Sequence, residues 1–259
     1  MKKLLACLAM VALLVGCNEK QEQKAQGDAS LDKVKSAGVF VLGLDDSFPP
    51  MGFRDKDNNI VGFDIDLATE VCARLGVTLK TQPISWDAKE QELNTGKIDC
   101  IWNGLSVDPE RAAAMNLSTP YLKNRMIFTV KDKALNSLAS LAGKKIAVQN
   151  GSTAQKLLDA SAAGQAAKEI VPFDDNQTAL MDLEKGGVDA VFLDEIVAKY
   201  WIVQNAKDYV VLEEGLSDEE YAIGFRKGDQ KLHDAVDSAL AAMKADGKFD
   251  EIHAKWFGK

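Results

Sequence analysis

An internal near-repeat limits the possible folds of this chain more than any other feature. The segment LNTGKIDCIW at residues 93–102 aligns with LEKGGVDAVF at residues 183–192, ninety positions later. A leucine, a glycine, an aliphatic residue, an aspartate, a second aliphatic residue and an aromatic residue recur in register. Each copy has the pattern of a helix end, a glycine turn and a short buried strand. The repeat therefore predicts two halves built to one plan.

Strand-like and helix-like segments alternate from residue 31 onward. A continuous apolar run at residues 39–44 is typical of buried parallel strands, and the mainly apolar segments at residues 98–102, 146–148, 170–171 and 188–193 repeat the pattern. Residues 62–76 carry apolar side chains at four-residue steps and end on glycine, which predicts an amphipathic helix. This alternation predicts an α/β fold with mostly parallel sheets flanked by helices.

Composition excludes several functions. The chain has 31 Lys and Arg against 39 Asp and Glu, a net charge of −8, whereas a nucleic-acid-binding protein needs a basic face. Two histidines and four cysteines leave little material for a metal site, and neither a Gly-rich phosphate loop nor a Ser/His/Asp set is visible. We therefore predict no metal, no cofactor, no catalytic residues and a small ligand.

The N-terminal residues predict export. Two lysines precede an apolar run at residues 4–15, which is too short for the roughly 20 residues that span a bilayer. This pattern indicates a signal peptide over residues 1–16. The sequence LVGC at residues 14–17 resembles the lipobox of bacterial lipoproteins, which implies cleavage before Cys17 and a lipid on its thiol. Residues 17–30 lack large apolar side chains, which predicts a lipid-anchored flexible tether.

Two cysteines belong to the folded body. Cys7 leaves with the signal peptide and Cys17 is assigned to the lipid, so Cys72 and Cys100 remain. An extracytoplasmic compartment permits a disulfide between them. We favour two buried thiols, because Cys72 lies in a helical pattern and Cys100 in an apolar strand.

The loops after four predicted strands indicate a ligand site. Ligands of open α/β sheets bind beyond the carboxyl ends of the strands. Those ends are residues 45–48 and 103–106 in the first half, and residues 150–153 and 194–195 in the second. If the halves face each other, the four loops converge on one cleft.

The side chains of these loops suit a free amino acid. Arg111, in the first turn of a helix capped by Asp108, can hold a carboxylate with two hydrogen bonds. Asp45 and Asp194, at strand ends, suit a cationic amine. Three other interpretations stay open: Arg111 as a solvated partner of Asp108, Asp194 as a helix cap, and the aromatic residues near these loops as plain core.

An ordered set of motifs resembles a known family, the polar amino-acid substrate-binding proteins of ABC transporters (bacterial solute-binding protein family 3). The resemblance covers nearly all of residues 31–259. The motifs are FPPMGF at 48–53, VGFDIDLA at 61–68, GKID at 96–99, GLSVDPER at 104–111, GST at 151–153, FLDE at 192–195 and KWFG at 255–258.

The resemblance implies a two-lobed periplasmic-binding-protein-like fold. Each lobe would be a mostly parallel sheet flanked by helices, and the chain would cross between the lobes at two hinges, near residues 123–125 and 215–221. Lobe 1 would then comprise residues 31–123 and 221–259, and lobe 2 residues 124–220. Closure around the ligand would be a hinge motion.

The family's site residues carry over position by position. Arg111 would hold the ligand carboxylate, helped by Ser106 and Thr153, and Asp194 would pair with the ammonium group, helped by the carbonyl of Gly104. Asp45 would meet the ligand side chain, which two aromatic residues stack against. The full implied set is Asp45, Phe48, Trp86, Asn103, Gly104, Ser106, Arg111, Gln149, Ser152, Thr153 and Asp194.

The resemblance also implies the function and the partners. We expect a monomeric binding protein, not an enzyme, that delivers a polar or basic amino acid to an ABC transporter permease. Glutamine, arginine, lysine or histidine is favoured, and cystine stays open. The protein would be exported and lipid-anchored at the outer face of the bacterial cytoplasmic membrane or in the periplasm. An extracytoplasmic enzyme resembling cyclohexadienyl dehydratase, or a ligand-sensing partner of a membrane receptor, are the alternatives.

Overall fold

The computed structural model describes residues 27–258. The predicted signal peptide, Cys17 and residues 18–26 of the tether lie outside the described residues. The helices are α1 (Ser30–Ala37), α2 (Phe63–Leu75), α3 (Lys89–Asn94), α4 (Pro109–Ala114), α5 (Thr153–Ala160), α6 (Ala162–Ala166), α7 (Asn176–Lys185), α8 (Glu195–Gln204), α9 (Gln230–Ala245) and α10 (Lys248–Phe257).

The strands follow the predicted alternation with the helices. They are β1 (Val39–Leu44), β2 (Ser47–Phe48), β3 (Gly52–Arg54), β4 (Ile60–Val61), β5 (Thr78–Pro83), β6 (Cys100–Ser106), β7 (Asn116–Leu117), β8 (Leu122–Val130), β9 (Lys145–Gln149), β10 (Glu169–Phe173), β11 (Ala190–Asp194), β12 (Val210–Val211) and β13 (Ser217–Phe225).

Two parallel three-stranded groups are joined by two long antiparallel strands. The order along the main sheet is β5-β1-β6-β13-β8-β11-β9-β10. Strands β5, β1 and β6 are parallel, as are β10, β9 and β11. Strands β8 and β13 pair antiparallel with each other, and each also borders one parallel group. This arrangement confirms the predicted α/β fold with two lobes. Strand β8 contains the predicted hinge segment 123–125, and β13 contains residues 217–221 of the other. The lobe boundaries stay a prediction.

The near-repeat has the same structure in both halves. In each copy a left-handed glycine, Gly96 or Gly186, follows the helix end within two residues, and the next strand begins a few residues later. The repeated aspartate also makes the same kind of contact in both copies. Asp99 accepts a 2.8 Å hydrogen bond from the backbone N–H of Val41, and Asp189 accepts one of 2.8 Å from that of Lys145. The two halves therefore share one plan, as the repeat predicts.

Two predicted boundaries are corrected by the structure. Residues 103–106, expected as a loop, belong to β6, because antiparallel pairing with β13 extends the strand through Ser106. Ser30, expected at the end of the tether, begins α1, and its hydroxyl accepts a 3.1 Å hydrogen bond from the N–H of Leu232 in α9. The folded body therefore begins slightly earlier than predicted.

The cores lie beneath the helices on the faces of the sheet. Cys72 and Cys100 are both buried there as free thiols, which confirms the favoured prediction, and burial raises the pKa of Cys72 to about 12. Across residues 27–258, no helix combines the length and apolar character that a bilayer span requires. Over the same residues, no cluster of His, Cys, Asp and Glu side chains forms a potential metal site.

Candidate functional site

One cavity lies where the carboxyl ends of the parallel strands from both halves meet. It contains about 280 Å³ of space free of protein atoms. The structure brings all eleven residues of the predicted set to its wall and adds one, Met126 of β8: the lining is Asp45, Phe48, Trp86, Asn103, Gly104, Ser106, Arg111, Met126, Gln149, Ser152, Thr153 and Asp194. Their roles in binding stay predictions.

A more open groove lies beside the hinge strands. It contains about 1170 Å³ of free space and is lined by side chains that include Lys123, Arg125 and Asp218. None of the eleven predicted residues lines it. The smaller cavity is therefore the candidate functional site, because the predicted chemistry is concentrated there.

Arg111 is the buried cation of the cavity. Asp108 caps α4 by accepting a 2.8 Å hydrogen bond from the backbone N–H of Arg111, which fixes the start of the side chain. The guanidinium donates to the carbonyl of Ser106 at 2.8 Å and lies 3.5 Å from the Asp108 carboxylate. Only 2% of Arg111 is exposed, so the solvated alternative is wrong. Burial lowers the pKa of Arg111 below its usual value. The guanidinium still has N–H donors left for an anion.

The start of α5 adds polar groups to the wall. Ser152 caps the helix, since its hydroxyl accepts a 3.1 Å hydrogen bond from the N–H of Gln155 and donates to the carbonyl of Gln149 at 2.7 Å. The next hydroxyl, on Thr153, is buried without a hydrogen-bond partner. A buried hydroxyl without a partner is costly, so it is suited to a ligand atom that supplies one.

Asp194 is held by side chains from both hinge strands. Its Oδ1 accepts hydrogen bonds from Asn124 Nδ2 at 2.7 Å and from the Tyr221 hydroxyl at 2.5 Å. The carboxylate makes no side-chain cap for α8, so the capping alternative is wrong. Burial raises the pKa of Asp194 to about 6. A cation in the cavity would offset this cost of burying the carboxylate.

Glu219 is a further buried carboxyl beside Arg111 and Asp194, and sequence reasoning missed it. It pairs in register with Asn124 across the two hinge strands. Its side chain points inward with that of Tyr221, because alternate residues of β13 share a face. Glu219 is 8% exposed and one of its carboxylate oxygens has no partner. Burial raises its pKa to about 7.

Asp45 belongs to a polar network from both halves. It accepts hydrogen bonds from the backbone N–H of Ser47 at 2.9 Å and from Gln149 Nε2 at 2.7 Å, while its own N–H donates to Asn103 Oδ1 at 3.2 Å. Asn176, at the start of α7, donates to Gln149 Oε1 at 3.2 Å. Burial raises the pKa of Asp45 to about 6, and no lysine or arginine lies within ion-pair distance of it in the described part of the chain.

Gly104 lies between the aromatic wall and a buried acid. Its φ is +58°, and a Cβ atom there would lie 2.9 Å from the Phe48 ring and 3.1 Å from the Tyr221 ring. Its N–H donates a 2.8 Å hydrogen bond to Asp64, whose pKa burial raises to about 7. Phe48 and Trp86 also belong to hydrophobic clusters, so they serve both as core and as cavity wall.

Comparison with known proteins establishes the family. The sequence pattern of the bacterial extracellular solute-binding proteins, family 3, matches residues 40–259. The chain belongs to this family. Among the relatives of this solute-binding protein is the L-cystine-binding protein TcyJ of Escherichia coli (strain K12), 30% identical over 96% of this chain and 92% of the relative. The putative ABC transporter arginine-binding protein 2 of the same strain is 32% identical over 86% of this chain and 93% of the relative.

A solved structure shares the fold. The solute-binding protein superposes with a TM-score of 0.85 and 36% identity on an ABC uptake transporter substrate binding protein from Streptococcus pneumoniae with bound histidine, covering 90% of this chain and 97% of the other. The resemblance seen in the motifs is thereby confirmed. Because the relatives are named as binding proteins, the expectation that the chain is not an enzyme is also confirmed. The family is extracellular, which supports export; the lipid anchor stays a prediction.

Proposed function

We propose that the solute-binding protein captures a polar or basic L-amino acid in the cavity between its lobes and delivers it to an ABC transporter permease. The observation that supports this proposal is the pairing of charges around one buried cavity. Arg111 is suited to an α-carboxylate, while Asp194 is suited to an α-ammonium group. Relatives named for arginine, histidine and cystine point to the same ligand class.

Asp45 favours a basic side chain within that class. Its carboxylate is buried with amide partners and without a cation, and its pKa of about 6 reflects the cost of burying a charge. A guanidinium, ammonium or imidazolium group would offset this cost, whereas a glutamine amide would offset less of it. Arginine, lysine and histidine therefore precede glutamine, and L-cystine is the further candidate to test.

Calorimetry with the twenty amino acids and L-cystine tests the proposal. We expect at least one polar or basic amino acid to bind below about 10 μM, roughly −7 kcal/mol. Arg111→Met should raise the Kd at least about 100-fold, since losing one partner of a buried ion pair costs about 3–5 kcal/mol. Lys97→Met, at an exposed ion pair with Glu92, is the matched control and should bind as the wild type does. Wild-type protein that binds none of the panel below about 1 mM would refute the proposal.

We also propose that the mature protein is a monomer tethered to the membrane by a lipid on Cys17. The lipobox-like sequence LVGC supports the anchor. Cys17→Ser should release the protein from the membrane fraction of an expressing bacterium, as judged by fractionation and immunoblotting. Recovery of the variant in the membrane fraction at the wild-type level would contradict the anchor.

A further inference from the structure

Lys89 is a buried lysine that contacts both halves of the protein. It is the first residue of α3 and is 5% exposed. Its ammonium group donates to the carbonyl of Trp86 at 3.1 Å and to the carbonyl of Gly151 at 3.0 Å, and it lies 5.1 Å from the centre of the Trp86 ring. Within the described chain no carboxylate lies within ion-pair distance of Lys89. This buried ammonium bonds only to backbone carbonyls, and the predicted amino-acid site does not explain why it is there.

The two turns joined by Lys89 are in direct contact. Gly151 has φ +66°, and a Cβ atom there would lie 2.9 Å from the Cα atom of Asp87. Only glycine permits this backbone conformation together with so close an approach. The Gly151 carbonyl that Lys89 bonds therefore belongs to a turn that packs against the turn before Lys89. The Gly151 turn leads directly into Ser152 and Thr153.

The charge of Lys89 links this contact to the ligand. Burial, and after it repulsion from Arg111, lowers the pKa of Lys89 to about 8, so the two buried cations lie close enough to repel each other. Asp87 and Glu90 oppose this effect only in part. A carboxylate bound to Arg111 would offset the repulsion between the two cations.

We propose that Lys89 is a positioning residue that latches the cleft: with a ligand carboxylate on Arg111, its ammonium ties the carbonyl of Trp86 to that of Gly151 and so holds the turn bearing Ser152 and Thr153 over the ligand. The identity of the carboxylate rests on the proposed function. The latch slows ligand release, since the cleft opens only after the bond to Gly151 is broken.

Dissociation kinetics test the latch through Lys89→Met, which removes the ammonium but keeps an apolar stem against Trp86. For the amino acid that binds tightest in calorimetry, stopped-flow dissociation should be about tenfold faster, as expected from loss of a charge-assisted hydrogen bond, with association changed less than about threefold. Lys97→Met should leave both rates unchanged. Equal dissociation rates for Lys89→Met and the wild type would overturn the proposal.

Amine labelling provides a second readout that does not depend on this variant. In the wild type saturated with ligand, N-hydroxysuccinimidyl acetate followed by mass spectrometry should modify Lys89 at least about ten times more slowly than Lys97, and the difference should be smaller in the ligand-free protein, whose cleft also opens. Gly151→Ala, which separates the two turns without touching the lysine, should abolish this protection. If no amino acid binds, the proposed function fails, and the latch is then judged from Lys89 labelling in the ligand-free wild type and Gly151→Ala: equal rates in the two would overturn it. With ligand bound, equal labelling of Lys89 and Lys97 would overturn it as well.

Discussion

Asp194 illustrates how the role of one residue depends on its surroundings. It occupies the N-cap position of α8, where an aspartate normally accepts hydrogen bonds from the first helical N–H groups. Here the carboxylate turns to Asn124 and Tyr221 and faces the cavity. Glu219 lies close by in the wall of the adjoining groove, and burial raises the pKa values of both carboxyls. We therefore expect the protonation states of both carboxyls to affect ligand binding.

Ligand affinity should fall as the pH is lowered from 7.5 to 5. A bound ammonium group favours the ionised forms of Asp194 and Glu219 and lowers their pKa values from about 6 and about 7, so binding releases protons in this range. We expect the Kd to rise at least about tenfold, because the release of one proton on binding raises the Kd by up to about tenfold for each pH unit below the pKa. Calorimetry over the pH series checks this. Glu219→Gln should flatten the dependence, and Glu220→Gln, on the exposed face of β13, should not.

The contribution of these two carboxyls to the stability of the ligand-free protein should increase, not decrease, as the pH is lowered. The folded-state pKa values of these two carboxyls lie above the usual values of 3.8 and 4.5, so the folded state binds more protons than the unfolded state between about pH 4 and 7. Their contribution to the free energy of unfolding therefore increases as the pH falls through this range. Urea titration over the pH series measures it. A slope in Glu219→Gln equal to that of the wild type would contradict this assignment for Glu219.

At the scale of the element, β6 combines a strand with a binding surface. It runs parallel to β1 at its start and pairs antiparallel with β13 towards its end. Between these pairings Gly104 adopts φ +58°, which turns the backbone toward the cavity. The N–H of Gly104 donates a hydrogen bond to the Asp64 carboxylate. A strand whose side chains are all buried thereby contributes residues both to the core and to the site.

Gly104→Ala should impair both folding and binding. The left-handed conformation costs an alanine about 1–2 kcal/mol, and the new methyl group would press on the rings of Phe48 and Tyr221. We expect a loss of about 2 kcal/mol in the free energy of unfolding, measured by urea titration, and a weaker Kd by calorimetry. Gly228→Ala is the matched control, because its Cβ atom would meet open space. Equal effects of the two substitutions would show that Gly104 has no special role.

At the scale of the whole molecule, the two halves meet both at the hinge strands and across the cavity. Strands β8 and β13 provide continuous antiparallel pairing. Opposite them, contacts cross the cleft from Gln149 to Asp45, from Lys89 to Gly151 and from Gln177 to the carbonyl of Ser47. These three crossing contacts are hydrogen bonds, and a ring contact between Phe53 and Tyr200 also joins the halves. We expect the cleft to open by breaking these side-chain contacts while the hinge strands stay paired.

Ligand binding should make the molecule more compact in solution. Saturating amino acid stabilises the closed arrangement, in which the crossing contacts form, and so shifts the population towards it. Small-angle X-ray scattering should show a smaller radius of gyration for the wild type with ligand than without. Arg111→Met at the same ligand concentration should show no change, since it lacks the carboxylate partner. An unchanged radius in a wild type that binds its ligand would contradict closure of the lobes.

Much of this protein could be predicted from the sequence because its determinants are local. Strand β1 has the predicted bounds, and the helix predicted over residues 62–76 matches α2 followed by left-handed Gly76, since periodicity and glycine turns depend on neighbouring residues. All eleven site residues that the family resemblance implies line the cavity, and several of them follow the ends of predicted strands. Their roles as ligands still rest on the family motifs.

Tertiary packing sets the features that depend on distant residues. Lys89 begins the charged segment KEQEL, a pattern typical of a surface helix, yet Gly151, 62 positions away, buries it. Glu219 stands in the acidic run SDEE, and only its pairing opposite Asn124 turns it toward Arg111 and Asp194. Local pattern alone specifies the elements, the two-half plan and the strand ends that supply the site. Packing between the halves selects which charges are buried together, because burial is set by contacts that no local pattern encodes.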